Sequence, residues 1–307
     1  MKRLVSYALT LFIIGLLVFR IYSGWDSLGI VEWNWRFSIV TFVVYLFGIY
    51  AVNVISWHYL TRYLGISVSL KNNTYVWLFS NLTRLIPGGI WQYPSRVLLL
   101  KRLGVSNYKA TLAVIFEVLF SLSMGIVVVF ATLPFWELPE SIAEYRSLLY
   151  LFFIVPVTVF FVMSNKKIIL LLAKYYGKFT KKSVSVTHID FENKYFVVVL
   201  LLFILRFLVI GYALYLLVGS VSVISSASSI SIIGMYALSW LLGFIVIFAP
   251  GGLGVTEGVL TLMLGSYVSV TLAAAISLSF RVLIMSVEGI CLGLAKVFIS
   301  FPESKKM

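Results

Sequence analysis

The chain has 307 residues, 61% of them hydrophobic and only 11% charged, with a mean hydropathy of +1.05. A soluble domain carries about a quarter charged residues, so an ordinary water-soluble enzyme or binding module is excluded. The net charge of +13 is read for which loops face which side of a bilayer, and it does not point to nucleic acid.

In chain order, the apolar stretches run from about 4 to 21, 37 to 57, 110 to 133, 148 to 163, 195 to 218, 229 to 249 and 268 to 300. Most approach the ~20 residues that a spanning helix needs. Lys2 and Arg3 precede the first, but it ends in Phe19-Arg20-Ile21-Tyr22 without a small-residue cleavage site, so it reads as an uncleaved anchor. Basic residues gather in alternate loops: Lys2 and Arg3, Arg62 to Lys109, the loop from Lys166 to Lys194, then Lys305 and Lys306. The loops at 22 to 36 and 134 to 147 carry most of the acidic residues that lie outside the spans. The positive-inside rule then places both termini in the cytoplasm and the two acidic loops outside. Trp25, Trp33, Trp35 and Trp136 fit an outer aromatic belt.

Two stretches interrupt this plan. Leu85-Ile86-Pro87-Gly88-Gly89-Ile90 divides two apolar arms, Thr74 to Ile86 and Ile90 to Leu100, each too short to cross, which predicts a re-entrant helical hairpin. Downstream, Ala249-Pro250-Gly251-Gly252-Leu253-Gly254-Val255-Thr256-Glu257-Gly258 breaks a second apolar region. Proline removes a backbone donor and clustered glycines make continuous helix costly. In lipid, such a break persists only where protein or a wet cavity satisfies the freed backbone. The Pro-Gly-Gly cores lie 163 residues apart. At an offset of 164, Phe116-Glu117-Val118-Leu119 aligns with Phe280-Arg281-Val282-Leu283. The fold expected is an all-α polytopic membrane protein with an inverted repeat, each half about three spanning helices plus one broken re-entrant hairpin, 6 to 8 spans in total. Residues 1–307 form one membrane domain, with repeats at 1–133 and 134–307. Residues 229 to 249 are long enough to span alone.

Paired breaks in the two halves of a transporter point to the substrate site. The candidate substrate-binding residues are therefore Arg84, Pro87, Gly88, Gly89 and Arg96 at the first break, and Pro250, Gly251, Gly252, Gly254 and Glu257 at the second. Glu257 at membrane depth reads as functional; the alternative is a carboxylate capping the helix that begins near Gly258. The amides of Gly251, Gly252 and Gly254 are candidates to hold a phosphate. Arg84 and Arg96 are either phosphate clamps or ordinary cytoplasmic-side charge. Glu117, Arg206, Arg281 and Glu288 lie inside predicted spans and form a candidate intramembrane charge network. Glu117 and Arg281, at equivalent repeat positions, are expected to pair, in a functional or a purely structural role. Trp91 and Tyr93 flank the first break. A lone Cys291 and the distant His58 and His188 permit neither an intramolecular disulfide nor a metal site.

The second break, in Pro250, Gly251, Gly252, Leu253, Gly254, Glu257 and Gly258, resembles the signature of the lysylphosphatidylglycerol synthase/flippase transmembrane family, and the spacing of the other elements fits it over nearly the whole chain. At the first break Pro87, Gly88 and Arg96 match, whereas Trp91 and Gln92 stand where the family has Gly-Glu. The resemblance implies translocation of a lipid with a polar or charged headgroup, such as aminoacyl-phosphatidylglycerol, between leaflets of the cytoplasmic membrane. Bifunctional members attach a soluble aminoacyl-transferase domain; this chain stops at Met307, so that synthase activity is expected to be absent. No catalytic residues, cofactor or metal are expected, and no ATP-binding motif is present. The expected partners are membrane lipids: anionic or aminoacylated phospholipid, or a lipid-linked sugar, together with a separate lipid-modifying enzyme. The alternatives are a membrane enzyme or accessory subunit acting on polyprenyl-phosphate-linked or glycolipid substrates, and a scaffold for such an enzyme. The oligomeric state is left open.

Overall fold

A computed structural model of the chain describes residues 2–24, 34–86, 90–136, 154–165, 191–246 and 249–299. Every regular element among the described residues is helical. They are α1 (Lys2–Ser23), α2 (Trp35–Tyr63), α3 (Leu70–Leu82), α4 (Gln92–Arg102), α5 (Asn107–Thr132), α6 (Ile154–Ser164), α7 (Phe196–Gly219), α8 (Ser228–Ile245), α9 (Val255–Leu264) and α10 (Val270–Phe298). Among these, α2, α5, α7, α8 and α10 are long and apolar enough to cross a membrane. A polytopic helical membrane protein follows, since in lipid only a helix or a closed barrel satisfies every backbone group. Large exposed side chains such as Leu201, Leu262 and Val282 are then the lipid-facing surface.

The short elements sit where the sequence breaks. α3 and α4, with 13 and 11 residues, are each shorter than a span and pack against one another as a hairpin. The second half is built differently. α8, with 18 residues, is long enough to span alone, and only α9, with 10, is short. Of the predicted crossing at 148 to 163, α6 covers the described part and packs on α5. Residues 25–33, 137–153 and 166–190 lie outside the described residues, Trp25 and Trp33 among them, as does the chain end beyond 299.

α7 sits at the centre, against α2, α5 and α8, while α10 packs on α9, α3 and α1. Between apolar helices in lipid there is no hydrophobic drive, so close packing must hold them. At Gly211 on α7 an added Cβ would lie 2.7 Å from the Cα of Ile233 on α8, so these two backbones approach as closely as glycine allows. Trp136 departs from the belt expected of it. It is buried, its indole N–H donates to Thr132 Oγ1 at 3.2 Å, and it packs against Gly234, because α8 covers the end of α5. Trp35 is exposed, as a belt residue should be.

Both halves share an order of elements: a long helix (α2 or α7), then α3–α4–α5 or α8–α9–α10. Ser106 caps α5 by accepting from the Lys109 amide, and Ser269 caps α10 by accepting from the Leu272 amide. These caps are 163 residues apart, as are Pro87 and Pro250.

Candidate functional site

The second break is a 3-10 turn at Pro250–Gly252 followed by α9. Gly251, Gly252 and Gly254 all have positive φ, at 59°, 73° and 86°, a region costing a side chain about 1–2 kcal/mol. Steric room tightens the demand at Gly252, where an added Cβ would lie 3.2 Å from the Gly243 backbone of α8 and 2.9 Å from Thr256 Oγ1.

Glu257, three residues into α9, turns back on this break. Its Oε2 accepts the Gly254 amide at 2.6 Å, satisfying one of the orphan donors at a helix start. Its Oε1 lies 2.8 Å from Nε of Arg281 on α10, and Arg281 Nη2 donates to the Gly251 carbonyl at 2.7 Å. One ion pair therefore holds both the freed donor and the freed acceptor of the break. Glu257 therefore caps α9, as the second of its two expected readings has it, and it also faces the cavity described below. Of the three glycine amides expected to hold a phosphate, two are engaged within the break: Gly254 N–H donates to Glu257 and Gly252 N–H to the Ala249 carbonyl.

At the first break, α3 tightens into a 3-10 turn at Thr83–Leu85 and becomes extended at Ile86. Pro87, Gly88 and Gly89 lie outside the described residues. Arg84 reaches across to α10, where its Nη2 meets Glu288 Oε2 at 2.8 Å; Asn81 donates to Glu288 Oε1 at 2.9 Å and accepts from Arg84 Nη1 at 3.2 Å, closing a triangle. Arg96 on α4 is almost fully buried. It pairs with Glu117 on α5, donates to Ser80 Oγ at 2.8 Å, and lies 4.8 Å and 5.9 Å from the ring centres of Trp57 and Trp77. Such a cation is not an exposed topogenic charge, and its Nε and Nη1 are already engaged.

The Glu117–Arg281 pair expected from the repeat is not formed. Each finds its partner on the short helix before its own: Glu117 takes Arg96 from α4, and Arg281 takes Glu257 from α9. Helices joined by a tight connection bring their facing sides together before more distant elements do, so each half closes its own ion pair. The two pairs are the same junction with the charges exchanged.

The breaks meet. An added Cβ on Gly251 would lie 3.3 Å from Arg84 Cγ, so the second break rests on the side chain that anchors the first to α10. Around this junction is a cavity of about 290 Å³, at the lower end of the ~300–1,000 Å³ typical of ligand pockets. It is lined by Arg84, Arg96, Glu117, Arg206, Gly251, Gly252, Glu257, Arg281 and Glu288. Of the described candidate residues, Gly254 is outside the lining and serves the α9 cap. Arg206 on α7 donates to Ser121 Oγ at 3.2 Å and stacks 5.1 Å from the Trp240 ring centre, and no carboxylate pairs with it among the described residues.

Sequence reading missed Tyr45, Asn53 and Tyr236, which also line the cavity. Asn53, a polar residue inside an apolar run and within the π-helical turn Gly48–Val54 of α2, carried a signal, because such turns and such residues gather at functional sites. Tyr45 and Tyr236 carried none, since tyrosines are scattered through the chain. Tyr93, noted only as a neighbour of the first break, lines the cavity too.

The family model described as lysylphosphatidylglycerol synthase TM region matches residues 3–287. No curated protein matches the chain.

Proposed function

The chain belongs to the lysylphosphatidylglycerol synthase TM-region family, a membrane domain associated with lysylphosphatidylglycerol synthesis and flipping, and we propose that it is a lipid flippase. It moves a phospholipid with a polar or charged headgroup between leaflets, and it is not itself an enzyme. The observation that carries this reading is the meeting of the two breaks, Gly251 on Arg84, around a cavity lined by seven charged side chains. Charges are expensive at membrane depth and are retained there for a polar path. The volume holds a headgroup and not two acyl chains, which stay in lipid while the headgroup crosses.

The reading extends to architecture. Residues 1–133 and 134–307 act as inverted repeats in the cell membrane with both termini cytoplasmic, so that rocking one half on the other exposes the junction to each leaflet in turn. The shared helix order, the 163-residue spacing of caps and prolines, and the mirrored ion pairs support this. Proton or ion coupling, or a downhill lipid gradient, drives the movement, and a separate lipid-modifying enzyme supplies the substrate.

The test is leaflet-to-leaflet movement of labelled lipids in liposomes holding the purified protein, with Glu257→Gln alongside. Movement above empty liposomes that Glu257→Gln abolishes is expected. If no lipid moves faster than in empty liposomes, with or without an imposed proton gradient, the flippase reading fails.

A further inference from the structure

Among the headgroups open to a flippase, the charge balance of the cavity selects one class. Four arginines, Arg84, Arg96, Arg206 and Arg281, face it with three glutamates, Glu117, Glu257 and Glu288, and no other charged side chain of the described residues lines it. Each glutamate is taken: by Arg96, Arg281 and Arg84 respectively. One positive charge is left, and geometry places it on Arg206, whose guanidinium has one hydroxyl acceptor, Ser121, and otherwise aromatic faces of Phe203, Phe207 and Trp240. Guanidinium stays protonated in proteins and offers five donors in a planar fork. Cation–π contact satisfies the faces of that fork but not the N–H groups in its plane. A half-buried charge without a carboxylate partner is better satisfied once a counter-ion enters the cavity.

We propose that the cavity binds a phosphodiester headgroup of net charge −1 bearing no amine, as in phosphatidylglycerol, and that Arg206 is the residue that holds it. The proposal rests on the flippase reading for its route but not for its binding site. A phosphodiester brings the lining to neutrality. A lysyl ester of the same headgroup, with one phosphate and two ammonium groups, would raise the surplus to two positive charges with every carboxylate already paired. A zwitterionic choline headgroup leaves the surplus as it is. Tyr93, Tyr236 and Gln92, which line the same cavity, supply donors and acceptors for glycerol hydroxyls.

The test has two arms. In liposomes of phosphatidylcholine, labelled phosphatidylglycerol, lysyl-phosphatidylglycerol and phosphatidylcholine are compared for movement; in detergent, the same lipids and inorganic phosphate are compared for thermal stabilisation of the protein. Phosphatidylglycerol is expected to move and to bind at least about tenfold better than the other two lipids, corresponding to about 1.4 kcal/mol. Arg206→Gln should remove that preference, and Arg206→Lys should keep part of it. Equal or better handling of lysyl-phosphatidylglycerol, or a preference unchanged in Arg206→Gln, overturns the proposal and leaves the flippase reading standing. If nothing moves but phosphatidylglycerol still stabilises the wild type selectively, the flippase reading fails and the anion site survives. Stabilisation by inorganic phosphate equal to that by the lipid would make the ligand a soluble anion and overturn the lipid assignment. Should Arg206→Gln not fold, the wild-type preference and Arg206→Lys decide.

Discussion

The two breaks solve one problem in different ways. Each half pairs an arginine with a glutamate across the junction of a short helix and the long helix that follows it, yet the cation is on α4 in the first half and on α10 in the second. In the second, the ion pair is tied to the break itself, through the Gly254 amide and the Gly251 carbonyl. In the first, Arg96 is enclosed by Trp57, Trp77 and Ser80 and touches none of the described break backbone. A buried ion pair is thus used once to complete a broken helix and once to lock neighbouring helices, and Arg84–Glu288 then ties the first half to the second. The break held by side chains is the one whose geometry depends on charge.

The largest test of this contrast is Arg281→Met. It leaves Glu257 unpaired and the Gly251 carbonyl without its donor, and should cost about 3–5 kcal/mol in denaturant unfolding. Amide exchange across 251–258 should rise with it. Arg96→Met should cost a similar amount by orphaning Glu117, but leave exchange at 90–95 unchanged; if it frees those amides too, the two breaks are held alike.

Glycine substitutions come next. Gly252→Ala should lower stability by about 1–2 kcal/mol from its positive φ and by more from contact with the α8 backbone. Gly251→Ala should show the φ cost with a smaller addition, since the flexible Arg84 side chain it meets can shift. Equal thermal shifts for the two would mean that α8 yields and does not brace the break.

Arg96→Lys keeps the charge but loses the planar stack on two indoles, and a loss of about 0.5–2 kcal/mol is expected, read as a lower melting temperature. The smallest effects belong to the caps. Ser106→Ala and Ser269→Ala should each cost about 1 kcal/mol, and near-equality by thermal unfolding would support the correspondence of α5 with α10.

Much of this was legible in the residues. Apolar run lengths gave α5, α7, α8 and α10 to within a few residues, whereas α2 runs six residues past the expected end at 57, and the Pro-Gly-Gly cores located both breaks. The charges at 117, 206, 257, 281 and 288 were marked because an ionisable residue at membrane depth is costly wherever it faces, and those at 84 and 96 because they flank the first break. Their pairing was not legible. Alignment of the halves put Glu117 opposite Arg281, but a repeat relates positions by symmetry and says nothing of which face of one helix meets which neighbour.

What the sequence determined by itself was the class of solvent, the places where helix must fail, and the presence of charge in lipid, because each follows from local chemistry: hydropathy, the missing proline donor, the absent glycine side chain. Tertiary structure alone decided that Glu257 turns back to Gly254, that Arg96 is enclosed by indoles, and that Arg206 is left without a carboxylate among the described residues. Those outcomes depend on the rotation of each helix about its axis and on which side chains arrive at one point from residues as far apart as 84 and 288. Net charge along the chain is a sum, whereas the single surplus charge in the cavity is a property of packing.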